Sequence, residues 1–161
     1  MWGENFSSLI AEKVTVVAGD ISFSDLGVHD SNLREQMCGK IDAIINLAAT
    51  TKFDERYDVS LGINTLGAKH VVEFAKKCSH LQVLVHVSTA YVCGEMGGLI
   101  DETHYKVGET LNGVSGGLNI EAEVNLAHAK LKDLTTMGST QKEITIAMKD
   151  MGISRPTLIC Q

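Results

Sequence analysis

Proline is nearly absent from this sequence: one stands among 161 residues, beside 15 glycines, and aromatic side chains make up only 5%. A Pro-rich spacer and a collagen-like repeat are therefore excluded, and the 44% apolar content excludes a disordered chain. No run of Lys and Arg occurs, and the formal net charge is -6. That balance argues against a surface that tracks nucleic-acid phosphates, so no nucleic-acid partner is expected. Four cysteines, Cys38, Cys78, Cys93 and Cys160, are widely spaced with no CxxC pair. Neither a zinc site nor a thioredoxin-like motif has support, no metal is expected, and the thiols read as buried groups in a reducing compartment. No stretch approaches the roughly 18 continuous apolar residues of a membrane span, and the opening MWGENFSSLIAEK lacks the apolar core of a signal peptide. No transmembrane segment or targeting leader is expected.

What is present is an alternation of buried-strand and helix patterns. A weakly helical opening over 5–13 leads to Val14–Ala18, VTVVA, with the β-branched content of a strand. It ends in Gly19 and Asp20, a pair compatible with a turn and with a carboxylate set against an adenine amino group. A short helix is expected between Asp30 and Gly39, with Asn32 and Glu35 at capping-box spacing and Gly39 as its stop. Ile41–Leu47 reads as a second buried strand, followed by the small residues Ala48 and Ala49. A helix over 58–78 brings Ile63, Gly67, Val71, Ala75 and Cys78 to one face, with Asn64 beside it. The segment 81–94, LQVLVHVSTAYVCG, then joins the most strand-like run in the chain to the hydroxyls of Ser88, Thr89 and Tyr91. In open α/β sheets, ligands bind beyond the carboxyl ends of strands, which makes these hydroxyls site candidates. After a Gly-rich loop, two amphipathic helices follow. Ile120, Val124, Ala127, Leu131 and Leu134 stripe the first, and Ile144, Ala147, Met148 and Met151 the second, with Thr140 and Glu143 as a capping box and Gly152 as a stop. The closing PTLIC is a short candidate strand.

Strand, helix, strand, helix, strand predicts an α/β fold: an incomplete Rossmann-like, doubly wound parallel sheet with an inserted helical pair. The motifs VAGDI (17–21), INLAATTKFDERYDVSLGINTLGA (45–68), FAKKC (74–78) and HVSTAYVCGE (86–95), in this order, add a family. On them the chain resembles the extended short-chain dehydrogenase/reductases, and within these the plant alcohol-forming fatty acyl-CoA reductases. Another extended reductase, acting on a sugar or flavonoid, would share the fold but not the FDERYDV stretch. The resemblance implies one partial NAD(P)-binding Rossmann domain over 1–161, with the helical insertion at about 120–151. It implies NADPH as cofactor and a fatty acyl-CoA as substrate, reduced through an aldehyde to a primary alcohol. Gly19, Asp20 and Ile21 would sit near the adenine, and Ala48 and Ala49 would line the ribose and nicotinamide side. Thr89, or its neighbour Ser88, would hold the substrate carbonyl, and Asn64 would organise a water chain. The implied setting is the endoplasmic reticulum or a plastid.

The sequence departs from that family pattern twice. It contains no GxxGxxG-like phosphate loop, and the residues four positions after Tyr57, Tyr91 and Tyr105 are Leu61, Glu95 and Glu109, so no Tyr-x-x-x-Lys occurs. Arg155-Pro156-Thr157 resembles the strand that follows the family's tyrosine helix. In the family's strand order two strands separate Val14–Ala18 from Ile41–Leu47, so either these two runs pair directly or the sheet keeps open edges. The alternative to an active reductase is a catalytically inactive remnant or interaction module, docking on full-length relatives.

Overall fold

The computed structural model describes residues 6–89, 97–99, 101 and 119–155. Tyr91, Cys93, Gly94, Cys160 and the PTLIC run lie outside them. Helix α1 (Phe6–Lys13) is followed by an extended segment, then by a tight turn at Ser24–Gly27, α2 (Ser31–Cys38) and strand β1 (Ala43–Asn46). A continuous helical rod comes next, made of α3 (Tyr57–Ser60), a π-helical turn (Leu61–Leu66) and α4 (Gly67–Ala75). Strand β2 (Val83–His86) and the helices α5 (Ile120–Thr136) and α6 (Gln141–Ile153) are the remaining elements among the described residues.

The rod carries two cores at its two ends. Val71, Phe74 and Ala75 on α4, and Cys78 just beyond it, recur at helical spacing and are all buried. This face packs on β1 and on the Ser24–Gly27 turn. At the other end Tyr57 and Leu61 join Ala127 of α5 and Ile144 and Met148 of α6 in a second cluster. Polar groups tie that cluster down. The Tyr57 hydroxyl donates to Glu123 Oε2 at 2.8 Å, and Arg155 donates to Glu123 Oε1 at 2.8 Å. Burial, followed by the Glu123 carboxylate, pushes the Tyr57 phenol above its ordinary range, so it stays a neutral donor. Arg56 forms a fork to Asp58 at 3.1 and 2.7 Å, and Lys149 of α6 reaches Asp54 at 2.7 Å. The FDERYDV stretch is thus the seat on which the helical pair rests.

β1 and β2 pair in parallel with Ala43 opposite Val83 and Asn46 opposite His86, the arrangement expected of a right-handed βαβ unit. Among the described residues they are the whole sheet. Val14–Ala18 is not a strand, and Val16 is 90% exposed. β-branched content favours a pleated conformation, but a strand also needs a neighbour for its N–H and C=O groups, and none of the described residues supplies one here. Among the described residues the sheet therefore has open edges and nothing on its face away from α4: Ile45 is 65% exposed, and Val83 and Val85 are exposed with it.

Two helix boundaries also differ from expectation. The N-cap of α2 is Asp30, whose carboxylate accepts from the N–H groups of Asn32 and Leu33 at 2.9 and 3.1 Å, so Asn32 is inside the helix. Helix α6 opens on the expected Thr140–Glu143 capping box but runs through Gly152, which is buried against Tyr57, and stops at Ser154. Glu143 is held below the usual carboxylate range by the Thr140 N–H and hydroxyl, so this cap's contribution is present above the ordinary glutamate range and is lost as pH falls through the lowered value. Met148 is fully buried between α5, α6 and the rod. Met148→Ala should cost about 2–4 kcal/mol through the cavity it leaves, read as a lower midpoint in chemical denaturation.

Candidate functional site

The parallel register decides which predicted residues meet. Because Asn46 stands opposite His86, the chain leaves both strands at the same level, and the Val87 N–H extends the ladder by donating to Asn46 O at 3.0 Å. Ala48 and Ala49 after β1, and Ser88 and Thr89 after β2, therefore lie at one carboxyl edge, all exposed there. Asn46 fixes this edge from below. It is 6% exposed, its side-chain amide donates to His86 Nδ1 at 2.9 Å, and its Oδ1 accepts from the Ala48 N–H at 3.2 Å. A buried amide with both ends bonded locks the loop after β1 to the end of β2.

Asn64 fixes the same loop from the side. The Thr50 N–H donates to Asn64 Oδ1 at 2.9 Å, and Asn64 Nδ2 donates back to Thr50 O at 3.2 Å. The side chain imitates one rung of a β ladder, and so holds the backbone that follows Ala48 and Ala49. Asn64 lies in the π-helical turn, where the N–H of Gly67 reaches back to Gly62 O. The wider ring of a π turn re-aims side chains, and such turns are frequent at functional sites.

Gly19, Asp20 and Ile21 lie against the rod, which they meet at Gly67 and His70. Gly19 is closed in by the Leu26 carbonyl: a Cβ at Gly19 would stand 2.5 Å from that oxygen. The Asp20 N–H donates to Leu26 O at 2.7 Å, and Asp20 Oδ1 accepts from the Ser22 N–H at 2.8 Å and the Ser22 hydroxyl at 2.7 Å. These bonds from Ser22 hold the Asp20 carboxyl below its usual range. The Gly-Asp pair leads into and braces the Ser24–Gly27 turn. The turn's geometry is tight, since Asp25, Leu26 and Gly27 all have positive φ, at 53°, 57° and 66°. Only Gly adopts that region without steric cost, so the turn is held by Asp20, by an ion pair of Asp25 with Lys77, and by burial of Val28. Ile21 packs directly on Gly67, and its carbonyl accepts from His70 Nδ1 at 2.9 Å, which fixes Nδ1 as the protonated nitrogen.

Chemically, the edge offers two exposed hydroxyls beside small side chains on a loop clamped by two amides. Sequence reasoning missed Asn46, His86 and His70. A polar residue at the end of each buried apolar run, Asn46 in IIN and His86 in VLVH, was the available signal. The carboxyl edge continues below into an open groove of about 350 Å³ between sheet and α4, lined by Asn46, Leu84 and His86 and by Ala68, Val71 and Val72. Among the described residues no group of three or more His, Cys, Asp or Glu is arranged to hold a metal, and no helix is long and apolar enough to cross a membrane. Asn46→Ala removes a buried amide bonded to both His86 Nδ1 and the Ala48 N–H, and should destabilise the chain by about 1–3 kcal/mol. Urea denaturation checks this, and Asn46→Ala with an unchanged midpoint would show that the amide clamps nothing.

Comparison with known proteins agrees with this architecture. The family model described as male sterility protein, an NAD-binding domain, matches residues 2–152. An alcohol-forming fatty acyl-CoA reductase of Simmondsia chinensis is 57% identical over 153 residues, covering 95% of this chain and 31% of the relative. Fatty acyl-CoA reductase 8 of Arabidopsis thaliana is 49% identical over 155 residues, 96% of this chain and 31% of the relative. The chloroplastic fatty acyl-CoA reductase 2 of the same plant is 37% identical over 160 residues, 95% of this chain and 25% of the relative. The chain thus spans about a third or less of the length of these curated relatives. With the family model covering nearly its whole length, and an incomplete Rossmann-like α/β fold beneath it, the chain belongs to the male sterility family of NAD-binding domains.

Proposed function

We propose that this sequence is part of the cofactor and carbonyl site of an alcohol-forming fatty acyl-CoA reductase. The observation that carries the reading is the shared carboxyl edge: Ala48–Ala49 and Ser88–Thr89 brought level by the register and held by Asn46 and Asn64. The names of the relatives support the choice of reaction, a long-chain acyl-CoA reduced to a primary alcohol.

In this reading the Thr89 hydroxyl, with Ser88 beside it, donates to the acyl carbonyl oxygen as negative charge develops there. Ala48 and Ala49 admit the ribose and nicotinamide closely because they carry only methyl groups. Asn64 positions that loop through Thr50 and orders water along the rod. Gly19, Asp20 and Ile21 meet the adenine, with the second carboxylate oxygen of Asp20 facing it, since the first is taken by Ser22. These residues fit one wall of a dinucleotide site. NADPH, when bound, supplies the hydride. These 161 residues contain neither a GxxGxxG-like phosphate loop nor a Tyr-x-x-x-Lys, so alone they should show no saturable NADPH binding at micromolar cofactor, as read by nicotinamide fluorescence.

We assign the whole sequence to one partial NAD(P)-binding domain, with the helical pair α5 and α6 as an insertion. A second, non-catalytic reading is favoured by the exposed apolar face of Ile45, Val83 and Val85, which suits association with a full-length relative. A chimera separates the two. With this sequence replacing the matching segment of the Simmondsia chinensis relative, NADPH-dependent formation of fatty alcohol from a long-chain acyl-CoA is expected. Thr89→Ala in that chimera should lower kcat by about 10²–10³-fold, the usual loss for a donor to a developing oxyanion. A folded chimera that makes no alcohol, or a Thr89→Ala chimera with full turnover, contradicts the reductase reading.

A further inference from the structure

Two of the four cysteines are brought together by the fold. Cys38 is the last residue of α2, and Cys78 follows α4 by three residues. The Ser79 N–H donates to the Cys38 carbonyl at 3.0 Å, and the Ser79 hydroxyl approaches the same oxygen at 3.4 Å. Ser79 N is bonded to the carbonyl carbon of Cys78, so the two cysteine backbones run side by side at this point. Both thiols are free, Cys78 buried and Cys38 half-buried. The Cys78 Sγ lies 3.5 Å from the Phe74 carbonyl, to which its S–H donates.

We propose that Cys38 and Cys78 are a cross-linking site, oxidised reversibly to an intramolecular disulfide by a low-molecular-weight disulfide such as oxidised glutathione. The more exposed Cys38 reacts first. Its thiolate attacks one sulfur of the oxidant, the oxidant's S–S bond breaks, and one glutathione thiolate leaves. The Cys78 thiolate then attacks Cys38 Sγ in the mixed disulfide and expels the second glutathione. In total the two cysteines lose two protons and two electrons, and the oxidant's sulfurs gain them as two thiols. The order follows from the surroundings: burial and the neighbouring thiol raise the Cys78 pKa, which makes it the poorer first nucleophile. A disulfide needs Cα atoms roughly 4.4–6.8 Å apart, a separation compatible with backbones already joined by a hydrogen bond. The product would pin the end of α2 to the end of the rod, closing a loop that contains β1, α3 and α4. Such a loop restricts the unfolded chain and so favours the folded one.

The test uses all 161 residues, reduced and then exposed to oxidised glutathione without denaturant. After alkylation and proteolysis, mass spectrometry should find the Cys38 and Cys78 peptides linked, with the loss of two hydrogen atoms. The thermal midpoint should rise by several degrees over the reduced protein and return on addition of dithiothreitol. Cys38→Ser should abolish both effects. Because one variant can fail for lack of folding, a chain carrying Cys93→Ser and Cys160→Ser is measured beside it and should still form the link. Glutathione retained on Cys38 with Cys78 still alkylated after unfolding would overturn the proposal. So would links that involve Cys93 or Cys160 in place of this pair.

Discussion

The helical rod that begins at Tyr57 and ends at Ala75 is the constraint on which the rest of the molecule depends. At one end it must bury Tyr57 and Leu61 against α5 and α6, and at the other Val71, Phe74 and Ala75 against the sheet and the Ser24–Gly27 turn. Between them lies the π turn, with Asn64 aimed at Thr50. One element thus sets the height of the loop after β1, the position of Ile21 through Gly67 and His70, and the attachment of the helical pair. Shifting the rod along its axis would undo all three together.

That dependence gives the most distinctive sequence stretch a structural task. Asp54, Arg56, Tyr57 and Asp58 in FDERYDV are engaged in holding the rod and α6. The hydroxyls and small residues of the proposed site sit instead at the ends of short strands, on loops clamped by Asn46 and Asn64. A rigid frame with exposed groups at its edge is what a carbonyl-binding site needs, because positioning groups act only when their own geometry is fixed.

What was readable in the sequence is what short-range periodicity encodes. β1, β2, α5 and α6 appear where apolar runs and four-three stripes place them, and the Thr140–Glu143 cap forms as its spacing predicts. Val14–Ala18 failed because being a strand is a property of a pair, and its composition says nothing of who stands beside it. Asn32 lost the cap to Asp30 because either residue type can accept from the first turn, and only the backbone angle at Asp30 decides. Gly152 looked like a stop and is a packing position against Tyr57. The bonds of Glu123 to Tyr57 and Arg155, and of Asn46 to His86, join residues far apart in sequence, which no local pattern reveals. Ser88 and Thr89 were legible as candidates from their place beyond a strand, the roles of the candidates came from resemblance, and the meeting of Ala48–Ala49 with Ser88–Thr89 came from the register.

Amide hydrogen exchange, resolved by residue, tests the central claim most directly, namely that a two-stranded sheet clamped to the rod suffices to hold the edge in place. The account predicts slow exchange at Val87, bonded to Asn46, and at Thr50, bonded to Asn64, with Val14–Ala18 exchanging at nearly unprotected rates. Protection at Val14–Ala18 equal to that of β1 and β2, or rapid exchange at Thr50 and Val87 together, would contradict it.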